Sequence, residues 1–316
     1  MHGLKRGRNR KMEALEMNIY DCIVIGGGAA GLSAALTLGR ARRNIAVFDD
    51  ATNRNRVTEE SHGFLTRDGI KPSEFRSLGI KELHAYPSVT IFNDSIIEVK
   101  PKNKHQLYEV FSNQKQYLTE SILLATGIQE NFSLPQVKEY YGKSLFSCPY
   151  CDGWELRDLP LAVIAETEGY VQHLSKLVFN WSKDLIIFTN GKELSEDVKN
   201  DLKRNHIKAY TTKIKRLHGS DGMLKNIELE DGTLVARKGG FVVPNFYRPN
   251  QLAQQLQCAL DENGAIVTDG MGHTSVQGVY VAGETEKGSP SSLLIAAADG
   301  ARTAASINFD LSSKRF

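Results

Sequence analysis

Cysteine is scarce in this chain: four residues in 316. So few cannot staple a protein of this length, which sets aside a disulfide-built secreted scaffold. The same scarcity suits a reducing, cytoplasmic setting, where a close cysteine pair is more often catalytic than structural. Long apolar runs are missing as well. None reaches the ~18 residues of a membrane span, so no membrane partner is expected. Neither sign of charge is in excess. The 39 Lys and Arg stand against 37 Asp and Glu, a net of +2. That balance gives no reason to expect nucleic acid or an acidic substrate as a partner. Low-complexity segments are absent too. What remains is an ordinary globular composition, long enough for about two domains with sizeable cores.

The first residues are the exception. Lys5, Arg6, Arg8, Arg10 and Lys11 crowd together with no apolar stretch behind them, and a secretory signal needs that stretch. Residues 1–17 read as a disordered basic leader. A weak nucleic-acid arm, or a later start at Met12 or Met17, are the other readings.

Ile19 to Ile25 reads as a buried strand. Gly26-Gly27-Gly28-Ala29-Ala30-Gly31 follows it, a G-x-G-x-x-G. Ala29 to Arg42 then reads as a helix with small residues on one side, and Asn44 to Phe48 as a second strand ending at Asp49-Asp50. Each part has a mechanical role. Gly26 makes the tight turn, Gly28 lets the backbone approach a pyrophosphate, and Gly31 lets helix and strand pack closely. The helix start offers unpaired N–H groups to phosphates. Asp49 sits about 20 residues on, where an acid meets a ribose hydroxyl. The glycine motif by itself does not separate FAD from NAD. Arg54-Asn55-Arg56 and Ser61-His62-Gly63-Phe64-Leu65 follow, either site residues or a solvated loop; His62 has no partner visible in the sequence.

Pro72 to Leu83 reads as an exposed helix. Val89 to Val99 and Gln106 to Phe111 read as strands of a small antiparallel sheet. Ile122 to Gly127 is a short buried strand whose end, Thr126-Gly127, is bare enough for a ligand to approach. A second βαβ unit starts at Leu161–Ile164, with a helix from Gly169 to Trp181 and a strand at Leu185–Phe188. Its first turn is Ala165-Glu166-Thr167-Glu168-Gly169, which sets two carboxylates where a pyrophosphate would lie. Ile207 to Leu217, Met223 to Leu229 and Phe241 to Val243 read as strands. Gln251 to Leu260 reads as a helix, Val276 to Glu284 as a strand ending in Gly283-Glu284, and Leu293 to Ile307 as an apolar helix.

Between the two units lies Cys148-Pro149-Tyr150-Cys151-Asp152-Gly153. Two cysteines at this spacing can close a disulfide, and an adjacent acid can move protons to and from the sulfurs. Half a zinc site or a pair of small core residues are the alternatives. Zinc needs four ligands, and the other cysteines, Cys22 and Cys258, sit far apart in apolar stretches. No metal is expected.

Taken in order, four features resemble the low-molecular-weight thioredoxin reductase family: Gly26-x-Gly28-x-x-Gly31, Ala125-Thr126-Gly127, Cys148-x-x-Cys151-Asp152-Gly153, and Gly278-Val279-Tyr280-Val281-Ala282-Gly283-Glu284. The match spans the chain after Tyr20. It implies an α/β fold of two Rossmann-like dinucleotide-binding domains, the second inserted into the first. Residues 18–131 and 245–316 would bind FAD, and residues 132–244 would form the inserted domain with the CxxC. The implied cofactor-binding residues are Gly26, Gly28, Ala29, Ala30, Gly31, Asp49, Asp50, Thr126, Gly127, Gly283 and Glu284. The implied redox set is Cys151 against the flavin, Cys148 as the attacking sulfur and Asp152 as proton donor. The partner would be a thioredoxin-like protein or a small dithiol or disulfide, and the assembly a homodimer.

The chain departs from that family in places. The second glycine motif falls on Ala165, Thr167 and Tyr170. The basic residues for NADPH fall near Thr189-Asn190-Gly191. The last motif ends Gly-Glu in place of Gly-Asp, and an Arg-Gln pair near the flavin ring falls on Ser291-Ser292. These departures make NADPH the doubtful cofactor. The function expected is an FAD-dependent thiol–disulfide oxidoreductase that passes electrons between flavin, the Cys148–Cys151 disulfide and an external dithiol or disulfide. The alternatives are a dithiol oxidase with oxygen as acceptor and, from another class, a flavin-bearing redox sensor without turnover.

Overall fold

The computed structural model describes residues 19–102, 107–286 and 292–316. The basic leader and Ser291 lie outside the described residues.

Two sheets organise the chain. The first is five-stranded and parallel, in the order Val279–Val281, Ile122–Leu124, Cys22–Ile25, Ile45–Phe48, Val89–Phe92. The first four of these strands are buried at every residue. They are continuous apolar runs because both sheet faces are covered. On one face Cys22 and Val24 pack with Ala34, Leu38, Ala304 and Ile307, from the helices Ala29–Arg40 and Leu293–Arg315. On the other, Ile23 and Ile25 pack with Val99, Tyr108, Val110 and Tyr117 of a small sheet. That sheet is built from Ile19–Tyr20, Ile96–Lys102, Leu107–Ser112 and Gln116–Thr119.

The second parallel sheet repeats the plan. Its order is Leu145–Phe146, Gly239–Val242, Leu161–Ile164, Leu185–Phe188, Lys208–Tyr210. The helices Glu168–Val178 and Glu196–Arg204 cover one face through Val171, Leu174, Val198 and Leu202. An antiparallel sheet of Ile214–Ser220, Met223–Leu229 and Leu234–Ala236 covers the other. The fold is thus α/β, with two Rossmann-like units and the second inserted into the first. A two-stranded ribbon joins them: Gln129–Asn131 leaves the first unit and Asn245–Tyr247 returns antiparallel beside it.

Two expected strands prove to be pairs. The stretch Val89–Val99 divides: Val89–Phe92 is the edge of the parallel sheet, and Ile96–Lys102 belongs to the small antiparallel one. Asp94 marks the break, accepting from the Ser95 N–H and the Asn113 side chain. Ile207–Leu217 divides likewise into Lys208–Tyr210 and Ile214–Ser220. The helix Gln251–Gln255 is shorter than expected, and the last helix is longer. Its added turns are mostly polar apart from Phe309 and the buried Leu311, and Lys314 and Arg315 tie them to Glu120 and Asp21. Helix Glu196–Arg204 carries little signal in the sequence, because only Val198 and Leu202 give it a buried stripe.

Candidate active site

Most of the implied cofactor residues gather at the carboxyl ends of the first sheet's strands, the crevice where such sheets take ligands. The chain turns at Gly26, whose φ is +109° and whose added Cβ would lie 2.3 Å from the Ala125 carbonyl oxygen. Gly31 packs under the same turn: its added Cβ would meet the Gly26 carbonyl oxygen at 1.8 Å. Gly28 and Gly127 are different. A Cβ on either would meet nothing within 4 Å. The turn is therefore closed underneath and open above, which fits a dinucleotide resting its phosphates on the helix start. Ala29 and Ala30 form that start and are buried. Ala30 has a packing role as well, since added Cβ atoms on Gly283 and Gly300 would both press on it.

The acids differ from one another. Asp49 is buried against the glycine turn, where a Cβ on Gly27 would come within 2.6 Å of its carboxyl. Arg76 donates to it through Nε at 2.5 Å and pairs with it again through its terminal nitrogen. Asp50 is exposed and accepts from the Thr52 and Ser95 hydroxyls. Glu284 pairs with Arg54 at 3.0 Å. Arg54 also lies 3.9 Å from Glu130 and over the Phe246 ring. Two further residues set the loops: Gly127 N–H donates to the Thr285 hydroxyl at 2.7 Å, and Gly283 N–H donates to Asp299 at 2.6 Å. Arg54, Arg76, Thr285 and Asp299 carry no motif signal, because each acts from a separate loop or helix. Ser292 caps the last helix, accepting from the Ile295 N–H at 3.2 Å.

Cys148 and Cys151 are joined as a disulfide with Cα atoms 5.3 Å apart. Cys148 precedes the short helix Pro149–Asp152, so the pair spans its first turn. Gly153 must be bare there: a Cβ would strike the Pro149 carbonyl oxygen at 2.4 Å and the Trp181 ring at 2.8 Å. Tyr150 and Trp154 flank the pair and are 77% and 65% exposed. Burial, with the Glu155 carboxylate adding to it, pushes the Asp152 carboxyl up to about 7; His62 and Arg54 pull the other way. An acid held there can take or give a proton near neutrality. The opposing charges come from the first unit, so the two units meet at the disulfide. Gly142 backs onto Val57 at the same junction, and its added Cβ would lie 2.4 Å from the Val57 carbonyl oxygen. Cys22 and Cys258 are free and buried, and burial drives the Cys22 thiol up to about 12. Among the described residues no group of His, Cys, Asp and Glu could hold a metal. No helix among them is long and apolar enough to cross a membrane.

The matching crevice of the second sheet is filled from within. Glu166 accepts from the Ser133 hydroxyl at 2.5 Å and from the Asn190 side-chain amide at 2.9 Å. Asn190 in turn accepts from the Ile214 N–H at 3.1 Å. Glu168 accepts from the Ser195 N–H. Two lysines do reach this edge: Lys192 follows Gly191, and the Lys213 stem lies on Gly191.

The family description "Pyridine nucleotide-disulphide oxidoreductase" matches residues 20–300. A probable thioredoxin reductase of Arthroderma benhamiae is 31% identical over 334 aligned positions, covering 94% of this chain and 81% of that protein. The thioredoxin reductase of Helicobacter pylori is 25% identical, covering 92% and 98%. Among solved structures, a putative thioredoxin reductase of Bacillus anthracis is 52% identical with a TM-score of 0.91, covering 94% of this chain and 100% of that one. With its glycine crevice and its Cys148–Cys151 disulfide, the chain belongs to the pyridine nucleotide-disulphide oxidoreductase family and is a flavin-dependent disulfide oxidoreductase resembling thioredoxin reductase.

Proposed function

We propose that an external dithiol is the main electron source for this protein, and that NADPH is a poor one. The observation that carries this reading is the pair of carboxylates, Glu166 and Glu168, hydrogen-bonded into the second crevice. A nucleotide pyrophosphate there would meet negative charge and would have to break those bonds.

The chain's own residues support the thiol steps. A thiolate of the external pair attacks Sγ of Cys148, and the Cys148–Cys151 bond breaks with Cys151 leaving as thiolate. The second external thiol then attacks its own partner sulfur in the mixed disulfide, releasing Cys148. Two electrons have passed to the enzyme pair, and the external pair has become a disulfide. Of the two protons lost, Asp152 takes one and solvent the other. FAD, bound at the first crevice, supplies the two-electron chemistry that returns the enzyme pair to the disulfide. With oxygen as the final acceptor the protein is a dithiol oxidase.

The residues assigned to FAD are Gly26, Gly28, Ala29, Ala30, Gly31, Asp49, Thr126, Gly127, Gly283 and Glu284, with Asp50 at the rim. The FAD-binding half takes residues 18–131 and 245–316, and the insert takes 132–244. The external pair sits on a thioredoxin-like protein or a small dithiol, and the exposed Tyr150 and Trp154 offer either one an apolar approach. The assembly is a homodimer, as the resemblance implies; a monomer mass by light scattering at micromolar concentration would rule that out.

The deciding experiment is anaerobic stopped-flow reduction of the yellow protein by NADPH, NADH and dithiothreitol in separate runs. Dithiothreitol should bleach the flavin band fully and the nucleotides only slowly. Full reduction by either nucleotide within tens of milliseconds would make a nucleotide-driven disulfide reductase the better reading.

A further inference from the structure

His62 lies in the loop between Val57 and Ile70, far in sequence from the cysteines. The loop is pinned at its neck, where Ser61 N–H donates to the Ile70 carbonyl at 2.8 Å and Gly69 N–H to the Ser61 carbonyl at 3.1 Å. Inside it, Gly63 N–H donates to Asp68 at 2.8 Å. The His62 side chain is only 16% exposed. Its Nε2 lies 3.7 Å from Glu60 and 3.6 Å from Glu155, and its Nδ1 lies 3.6 Å from Asp68. These are charge contacts, too long for hydrogen bonds. Two of the acids belong to its own loop. Glu155 comes from the other unit, three residues after Asp152.

We propose that His62 is a positioning residue for proton transfer at the cysteine pair, acting across the junction on Glu155 and Asp152 so that Asp152 can accept a proton from an incoming thiol. The proposal rests on the reading that Asp152 serves the cysteine pair. Every charged group facing this point enters the balance. Glu155 disfavours a charged Asp152, and Tyr141 faces it as a neutral phenol. Arg54 and a protonated His62 favour the carboxylate. Arg157 lies over the Trp154 ring, and the Trp154 carbonyl accepts from it. Of the cationic side-chain types here, an imidazole is the one whose charge responds to pH near neutrality, while a guanidinium stays charged.

The signs are opposite for the two neighbours, and that makes the test. Removing the imidazolium raises Asp152 further, leaving less carboxylate at mildly acid pH. Removing the Glu155 charge lowers Asp152 and leaves more. The measurement is the rate of flavin bleaching by dithiothreitol against pH, anaerobically, with the holoenzyme. His62→Gln should slow it about three- to tenfold near about pH 6.5 and stay within about twofold near about pH 8.5. Glu155→Gln should move the acid limb of the profile the other way. His62→Lys, which restores a charge, should recover most of the rate at the lower pH.

One uniform factor at every pH for His62→Gln, or no change, overturns the proposal if Asp152→Asn still removes the acid limb. If Asp152→Asn keeps the limb, the parent reading has failed instead. A readout without turnover keeps the test open should a variant lose flavin. The His62 ring proton resonance, followed by NMR in the wild-type holoenzyme and in Glu155→Gln, should move in the variant, because the ring lies 3.6 Å from that carboxylate. An unmoved resonance counts against the contact.

Discussion

The Asn190 side-chain amide donates to the Glu166 carboxylate at 2.9 Å, joining the ends of the two strands between which a second nucleotide would have to enter. Asn190 holds φ at +50°, a conformation asparagine tolerates better than most residues. The bond therefore fixes a turn as well as a charge.

That bond predicts the response to nucleotides. Glu166→Ala with Glu168→Gly should speed NADPH reduction of the flavin. A unit charge pair at ~4 Å in water-like surroundings is worth roughly 1 kcal/mol, so each carboxylate removed should gain several-fold. Stopped-flow traces of wild type and double variant compare directly. Equal rates would mean that the carboxylates are not the obstacle.

The open face at Gly28 predicts that flavin binding fails in Gly28→Val. The backbone there has room for the side chain, so the fold should persist while the pyrophosphate is blocked. The variant should purify colourless and melt lower than wild type, by the stabilisation that bound cofactor supplies. A yellow variant with unchanged absorbance would refute the placement.

The two cysteines should prove unequal. Cys148→Ser leaves Cys151 able to stand as a thiolate beside oxidised flavin, and a long-wavelength charge-transfer band should appear. Cys151→Ser should lack it. The same absorption in both variants, or in neither, counts against Cys151 as the inner sulfur.

Asp152 makes stability depend on pH. Its carboxyl is raised in the folded protein to about 7. A raised acid stabilises the fold while it stays protonated, and that contribution is lost as pH climbs from the unfolded value toward 7. Asp152→Asn should therefore leave stability unchanged at about pH 4 and raise it above about pH 7 by up to roughly 4 kcal/mol. Urea melts at two pH values would measure it, and a variant weaker than wild type at the higher pH would reverse the sign.

Much of the fold and of the first crevice is legible in the residues themselves. The strand, glycine turn, helix and Asp49 announce themselves locally, because each element is apolar with its own period and is punctuated by glycine. The Rossmann-like repeat is legible for the same reason. Glu166 and Glu168 can be seen to oppose a pyrophosphate, but their bonds to Asn190, Ser133 and Ser195 cannot. His62 stays unassigned in the sequence because its partner Glu155 sits across the junction between the two units. Arg76 is hidden likewise, since it sits on a helix that reads as exposed and its partner Asp49 lies on another element. The break after Tyr210 escapes notice because the β-branched Thr211 and Thr212 run through it, whereas the break after Phe92 is written in the turn formers Asn93-Asp94-Ser95.

The ribbon at Gln129–Asn131 and Asn245–Tyr247 has a consequence for how the molecule assembles. Val279–Val281 must find Ile122–Leu124 after a very long excursion of chain, which is entropically slow. Once residues between the ribbon strands have collapsed, Asn131 and Asn245 are held side by side, and only the stretches from Leu124 to Asn131 and from Asn245 to Val279 remain to be closed. The insert thus acts as an internal splint: its own folding, built from nearby strands and helices, prepares the closure of the sheet that encloses it.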